Sequence, residues 1–113
     1  MFNRSDSYRG RLLRVNLTDK SSKEEEVDPG ILRSFIGGRG LGAALLYQEV
    51  GPDVDPLSPD NKLIFTAGPL VGTAAPCSGR FCISTKSPQT GIYLYSLCSG
   101  RFGQKCENQV MRY

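Results

Sequence analysis

The sequence contains no histidine. That excludes most hydrolytic triads and every histidine-ligated metal site. It also lacks a C-x-x-C pair. Cys77, Cys82, Cys98 and Cys106 are separated by four, fifteen and seven residues, whereas structural zinc sites usually carry a close pair. Reduced, unligated thiols are the expectation; a four-cysteine cluster or two disulfides are the alternatives. No apolar run approaches the length of a membrane span. The opening MFNRSDSYRG has no apolar h-region, so a soluble cytoplasmic protein is expected. Charge of one sign is missing too: 14 basic and 11 acidic residues leave a net +3. That is too mild to argue for nucleic acid.

What is present is glycine and proline, 13 and 7 in 113 residues. They point to one small domain of loops and turns. The chain is organised around Lys62 to Gly103. There the glycine-bearing loops Gly68-Pro69, Gly72 to Gly79 and Ser99-Gly100 alternate with the apolar runs Leu63–Ala67, Arg80–Thr85 and Ile92–Leu97. Each run has ordinary strand length. Glycine lets the backbone turn at positive φ or come close to a ligand. Arg80 is the one cation that follows the middle loop directly. The pattern reads as a surface that seats a large polar, anionic ligand.

Earlier in the chain, Arg11–Leu17 alternates, with Leu13, Val15 and Leu17 on one face, and predicts a half-buried strand. Lys23–Val27 reads as its polar return strand, whose three glutamates discourage edge pairing. Asp28-Pro29 caps and opens a helix over 29–36, with Ile31, Leu32, Phe35 and Ile36 as its buried stripe and Gly37-Gly38 as its stop. A second helix over 40–49 is expected to bury Leu41, Ala44, Leu45 and Gln48. Residues 53–61, with three acids and two prolines, read as a surface loop.

Two motifs stay open between structural and ligand-binding roles, and a third reads as structural. Gly37-Gly38-Arg39-Gly40-Leu41-Gly42 fits a loose dinucleotide fingerprint, but a helix precedes it instead of a strand. A helix–loop–helix joint capped by Arg39 and an anion-holding loop are the other readings. Gly68 to Gly79 lacks the Gly-Lys-Ser/Thr of a phosphate loop. It is either a long ordered connection or part of the seat. Lys86–Gly91 is a structural turn, with proline presetting φ and glycine closing it.

RVNL, IGGRGLGAALLY, DPLSPDNKLIFTAGPLVGT, APCSGR and TKSPQTG follow one another between residues 14 and 91. In this order and spacing the chain resembles, over roughly 9–103, the N-terminal domain of the aldehyde ferredoxin oxidoreductases. The resemblance implies an α+β fold of antiparallel sheets with short helices. It implies a base for a tungsten (or molybdenum) bis-pterin, with a magnesium bridging the two pterins. Two further helical domains would cover the cofactor and carry the ligands of a [4Fe–4S] cluster outside this chain. The implied activity is oxidation of aldehydes to carboxylic acids with ferredoxin as electron acceptor.

Carried over by position, the implied cofactor-binding residues are Arg80, Leu97, Ser99 and Gly100. Arg80 would lie beside the pterin. Leu97 stands where the family has an asparagine whose carbonyl meets the magnesium, and Ser99 where it has a pterin-contacting glycine. No catalytic residue and no side-chain metal ligand is implied. The expected organisation is a partial, truncated tungstopterin-seating domain over 1–113 with a divergent tail at 104–113. It would act in a homodimer or with a complementing subunit, without membrane or nucleic acid. A non-catalytic metal-pterin-binding module or degenerate fragment is the alternative.

Overall fold

The structure is a computed structural model describing residues 10–71 and 74–102. The order is β1 (Arg11–Asn16), β2 (Ser21–Glu26), α1 (Pro29–Phe35), α2 (Gly38–Glu49), β3 (Ile64–Ala67), β4 (Phe81–Lys86) and β5 (Tyr93–Cys98). β1 and β2 form an antiparallel hairpin, and β3-β4-β5 an antiparallel three-stranded sheet. The fold is α+β, as expected. No helix of the described residues is long and apolar enough to cross a membrane. The expected tail at 104–113, and Cys106 within it, lie outside the described residues, as do Gly72 and Thr73 of the middle glycine loop.

Local signals explain the elements. The β1–β2 turn is held by Asn16, whose side-chain oxygen accepts from Thr18 N at 3.0 Å. Asp28 accepts from Gly30 N at 2.8 Å, with Pro29 in the first turn of α1. The β4–β5 turn closes on Gly91 at φ 73°, and Ser87 Oγ accepts from Gln89 N and Thr90 N. α2 lies across β3 and β4. One core joins Val27, Leu32, Leu41, Leu45, Leu46, Val50 and Ile64.

The packing corrects four expectations. In β1 the face with Leu13, Val15 and Leu17 is not the inner one. Leu12 packs against the core, Arg14 on the same face reaches Glu49 of α2, and Leu17 is 76% exposed. In α1 Leu32 is buried and Ile31 packs against the core, but Phe35 and Ile36 are exposed. α2 starts at Gly38, two residues early, and buries Leu41, Gly42, Leu45 and Leu46, not Ala44 and Gln48.

The fourth concerns the stop of α1. The helix is capped by Ile36 at φ 62°, ψ −58°, and of the two glycines after it Gly38 is also at positive φ, 60°. With Gly37 N bonded to Phe35 O at 2.6 Å, Ile36 forms a strained γ-turn. The reason is spatial. A Cβ on Gly37 would stand 2.7 Å from Ala67 O and 3.1 Å from Gly68 Cα. The glycine therefore serves close approach of backbones, and the isoleucine takes the turn.

Candidate functional site

The antiparallel register gathers the glycine loops at one end of the sheet. Ala67, Phe81 and Cys98 lie side by side. Gly68, Arg80 and Ser99 follow or precede them directly. A Cβ on Gly79 would lie 3.9 Å from Gly100 O, so the loops around Arg80 and Gly100 are neighbours. The Gly37–Gly38 joint packs against Ala67 and Gly68 and so joins the same end. The four residues singled out by resemblance, Arg80, Leu97, Ser99 and Gly100, are thus brought together, and all are exposed.

The segments that build this end, 36–40, 67–71, 74–80 and 98–102, contain Arg39, Arg80 and Arg101 and no acidic residue. Asp53, Asp55 and Asp60 lie in the loop at the opposite end. That loop is tied there by Lys86 Nζ donating to Pro52 O and Val54 O, both at 2.7 Å, and by Asn61 Nδ2 donating to Lys86 O at 3.1 Å. Charge is therefore polarised along the strands. The cationic end also has open backbone, because a Cβ on Gly38, Gly68 or Gly100 would meet nothing within 4 Å.

A buried polar row holds the first glycine joint in place. Thr66 Oγ1 donates to Gly38 O at 2.7 Å. The Tyr93 hydroxyl donates to Arg39 O at 3.2 Å and, lying 3.0 Å from Ser84 Oγ, accepts from it. Burial, opposed by the Ser84 hydroxyl, holds the Tyr93 phenol above its usual pKa, so it remains a donor. Gly42 permits the close fit: a Cβ there would collide with Ser84 Oγ and stand 3.1 Å from Ser84 Cβ.

Arg39 does not cap the joint as expected. Its guanidinium crosses to β5, lies 4.8 Å from the Tyr95 ring centre and donates to the Tyr95 hydroxyl at 2.9 Å. Tyr95 in turn stacks on Tyr93 at 5.9 Å. This link joins residues 56 apart in the chain. The one trace of it in the sequence is the alternation of Tyr93 and Tyr95 on one strand face. Of the cysteines, Cys77 is exposed, Cys82 buried and Cys98 half-buried, all as free thiols. Among the described residues no three carboxylate, cysteine or histidine groups converge as a metal site.

Comparison with known proteins shows the family. Residues 12–111 match the family model of the aldehyde ferredoxin oxidoreductase N-terminal domain. The chain is similar to the tungsten-containing aldehyde ferredoxin oxidoreductase of Pyrococcus abyssi, at 49% identity over 85% of this chain and 16% of that protein. The enzyme of that name from Pyrococcus furiosus is 50% identical over 83% of this chain and 16% of its own length. A solved structure, the active site complex BamBC of benzoyl coenzyme A reductase with 1,5-dienoyl-CoA, superposes with a TM-score of 0.87 and 36% identity. It covers 94% of this chain and 16% of the matched one. The chain belongs to the aldehyde ferredoxin oxidoreductase family and corresponds to about a sixth of the length of these relatives.

Proposed function

We propose that this chain supplies one wall of the seat for a tungsten bis-pterin, in an oxidoreductase that converts aldehydes to carboxylic acids and delivers electrons to ferredoxin. The observation that carries the reading is the convergence of the glycine loops and three exposed arginines at one acid-free end of the sheet. The residues present suit the group. Open backbone beside Gly38, Gly68 and Gly100 leaves room for a flat ligand. A guanidinium holds a phosphate through paired donors that lysine lacks.

Arg80 would hold the pterin phosphate, Ser99 and Gly100 would line the pterin, and the Leu97 carbonyl would be a contact for magnesium. When bound, the metal-pterin supplies the two-electron chemistry. This chain's part is to bind and orient it. The [4Fe–4S] ligands and any acid or base belong to the remaining length of the family protein.

The test joins this chain to the remainder of the Pyrococcus furiosus relative and measures tungsten per chain after gel filtration. A charge-assisted hydrogen bond is worth about 1.5–3 kcal/mol. Arg80→Ala, which removes a pair, is therefore expected to lower retention more than tenfold, and Arg80→Lys to fall between it and the parent. Lys23→Ala, in the distant hairpin, is expected to leave it unchanged. Full retention by Arg80→Ala with loss in Arg39→Ala would mean that the seat is built around the first glycine joint instead.

A further inference from the structure

The fold fixes the orientation of Arg39 without neutralising its charge. Its guanidinium donates to the Tyr95 hydroxyl at 2.9 Å and lies 4.8 Å from the Tyr95 ring centre. Tyr95 stacks on Tyr93, whose hydroxyl donates to the Arg39 carbonyl. Backbone and side chain of Arg39 are thus both held by neutral aromatic residues of β5. Arg14 is the contrast, because its guanidinium is engaged by Glu25 and Glu49. Among the described residues the ion pairs are those of Arg14, Lys23 and Lys62, and Arg39 has none. One of its N–H groups goes to Tyr95, and among the described residues the rest have no partner. Fixing a long, exposed side chain costs rotamer entropy, and an exposed contact with a neutral ring offsets little of it. An arginine held in this way is preorganised for an anion.

The sheet register shows where that anion would lie. Tyr95 pairs with Ser84 and Leu97 with Cys82. All four stand on the side of the sheet that faces α2, where Ser84 meets Gly42. Continued one step beyond Phe81 and Cys98, the register sets Arg80 opposite Ser99 on that same side. The approach of Gly79 to Gly100 O agrees with this continuation. Arg39 and Arg80 therefore flank Leu97 along one face, with Tyr95 and Ser99 about 13 Å apart at strand rise. No acidic residue stands between them on either strand. We infer that Arg39 is a second anion-binding residue of the seat, which takes a phosphate group of the ligand that Arg80 holds, and that Tyr95 is the positioning residue for Arg39. This inference rests on the proposed seat and adds a second charged contact to it.

The test uses this chain joined to the remainder of the Pyrococcus furiosus relative. The fusion is washed with rising inorganic phosphate, and tungsten per chain is then measured. Arg39→Met keeps the side-chain stem and removes the charge. It is expected to release tungsten at a phosphate concentration about fivefold below the parent's, a smaller loss than in Arg80→Ala because salt screens an exposed charge. Arg39→Lys should fall between Arg39→Met and the parent. Tyr95→Leu, which frees the guanidinium, should behave like Arg39→Met, and Tyr95→Phe, which keeps the ring, should lose less. Arg33→Met, at an exposed arginine in the last turn of α1, should match the parent. Thermal unfolding of each variant separates binding from folding. Early release with a parental unfolding midpoint supports the inference. Equal losses in Arg39→Lys and Arg39→Met, each matched by a lowered midpoint, would mean a structural clamp only and overturn it. Release at the parental concentration by both Arg39→Met and Tyr95→Leu would overturn it too, while loss in Arg80→Ala in the same experiment would leave the seat standing. Retention in Arg80→Ala with early release in Arg39→Met would strike the role of Arg80 and keep that of Arg39. Should Arg39→Met fail to fold, Arg39→Lys decides, and release at the parental concentration overturns the inference.

Discussion

The two faces of the β3–β4–β5 sheet are built in opposite ways. Under α2 lie Ile64, Thr66, Cys82 and Ser84, at 4%, 2%, 1% and 0% exposure, so a polar pair sits beside an apolar anchor. On the open side lie Phe65, Ile83 and Leu94, large and apolar, with Leu94 half exposed. Buried hydroxyls are thus concentrated on one face and large apolar side chains on the other, where Phe81 is 9% exposed. The covered face is closed by the fit of Gly42 against Ser84 and by hydrogen bonds to Gly38 O and Arg39 O, which satisfy the buried hydroxyls. α2 is seated both by the apolar packing of Leu41, Leu45 and Leu46 with Ile64 and by the close approach of Gly42 to Ser84.

The comparison can be broken most directly by paired substitutions. Gly42→Val puts a branched side chain onto Ser84 and is expected to destabilise the chain by about 1–3 kcal/mol in urea unfolding. Leu94→Lys on the open face is expected to change it by no more than about 0.5 kcal/mol. Equal costs would mean that the open face carries as much of the isolated fold as the covered one.

Ser84→Ala probes the polar row alone. It leaves Tyr93 its bond to Arg39 O but removes the hydroxyl that donates to it. The expected cost is about 1 kcal/mol. A rise in Tyr93 exposure to fluorescence quenchers should accompany it, since Ser84 helps hold the ring.

A pH-dependent effect lies where β1 meets α2. Arg14 donates to both Glu49 carboxylate oxygens, at 2.8 and 2.6 Å, and to Glu25 at 3.2 Å. The Arg14 hydrogen bonds, more than they are opposed by burial, hold the Glu49 carboxyl below its ordinary value of 4.5. A depressed carboxylate binds more protons unfolded than folded across that range. Its stabilisation is therefore complete above the ordinary value and is lost as pH falls through the depressed one. Solvent screening keeps it to about 1 kcal/mol or less. Urea midpoints followed downward from neutral pH should decline, and Glu49→Gln should flatten that decline.

Much of the architecture was readable in advance, because it depends on neighbours close in the chain. The five strands and two helices fall within two residues of their expected bounds. Asp28-Pro29 and Gly91 act where their chemistry placed them. The gathering of Arg80, Leu97, Ser99 and Gly100 was legible only through motif resemblance. Once the hairpin register is known it follows from geometry, since adjacent antiparallel strands bring alternate loops to one end.

The sequence by itself determined the local elements, the antiparallel alternation and the absence of acids from the glycine loops, all set by residue type and short spacing. The tertiary structure alone decided which side of each element faces inward. A period of two has two equivalent phases. The choice of Leu12 and Arg14 over Leu13, Val15 and Leu17 was made by the partner helix. The same holds for Ile36, which takes the γ-turn while Gly37 lies against Ala67. It holds for Arg39, carried across 56 residues of sequence to Tyr95. Contacts at such separation depend on how surfaces meet, and no local preference encodes them.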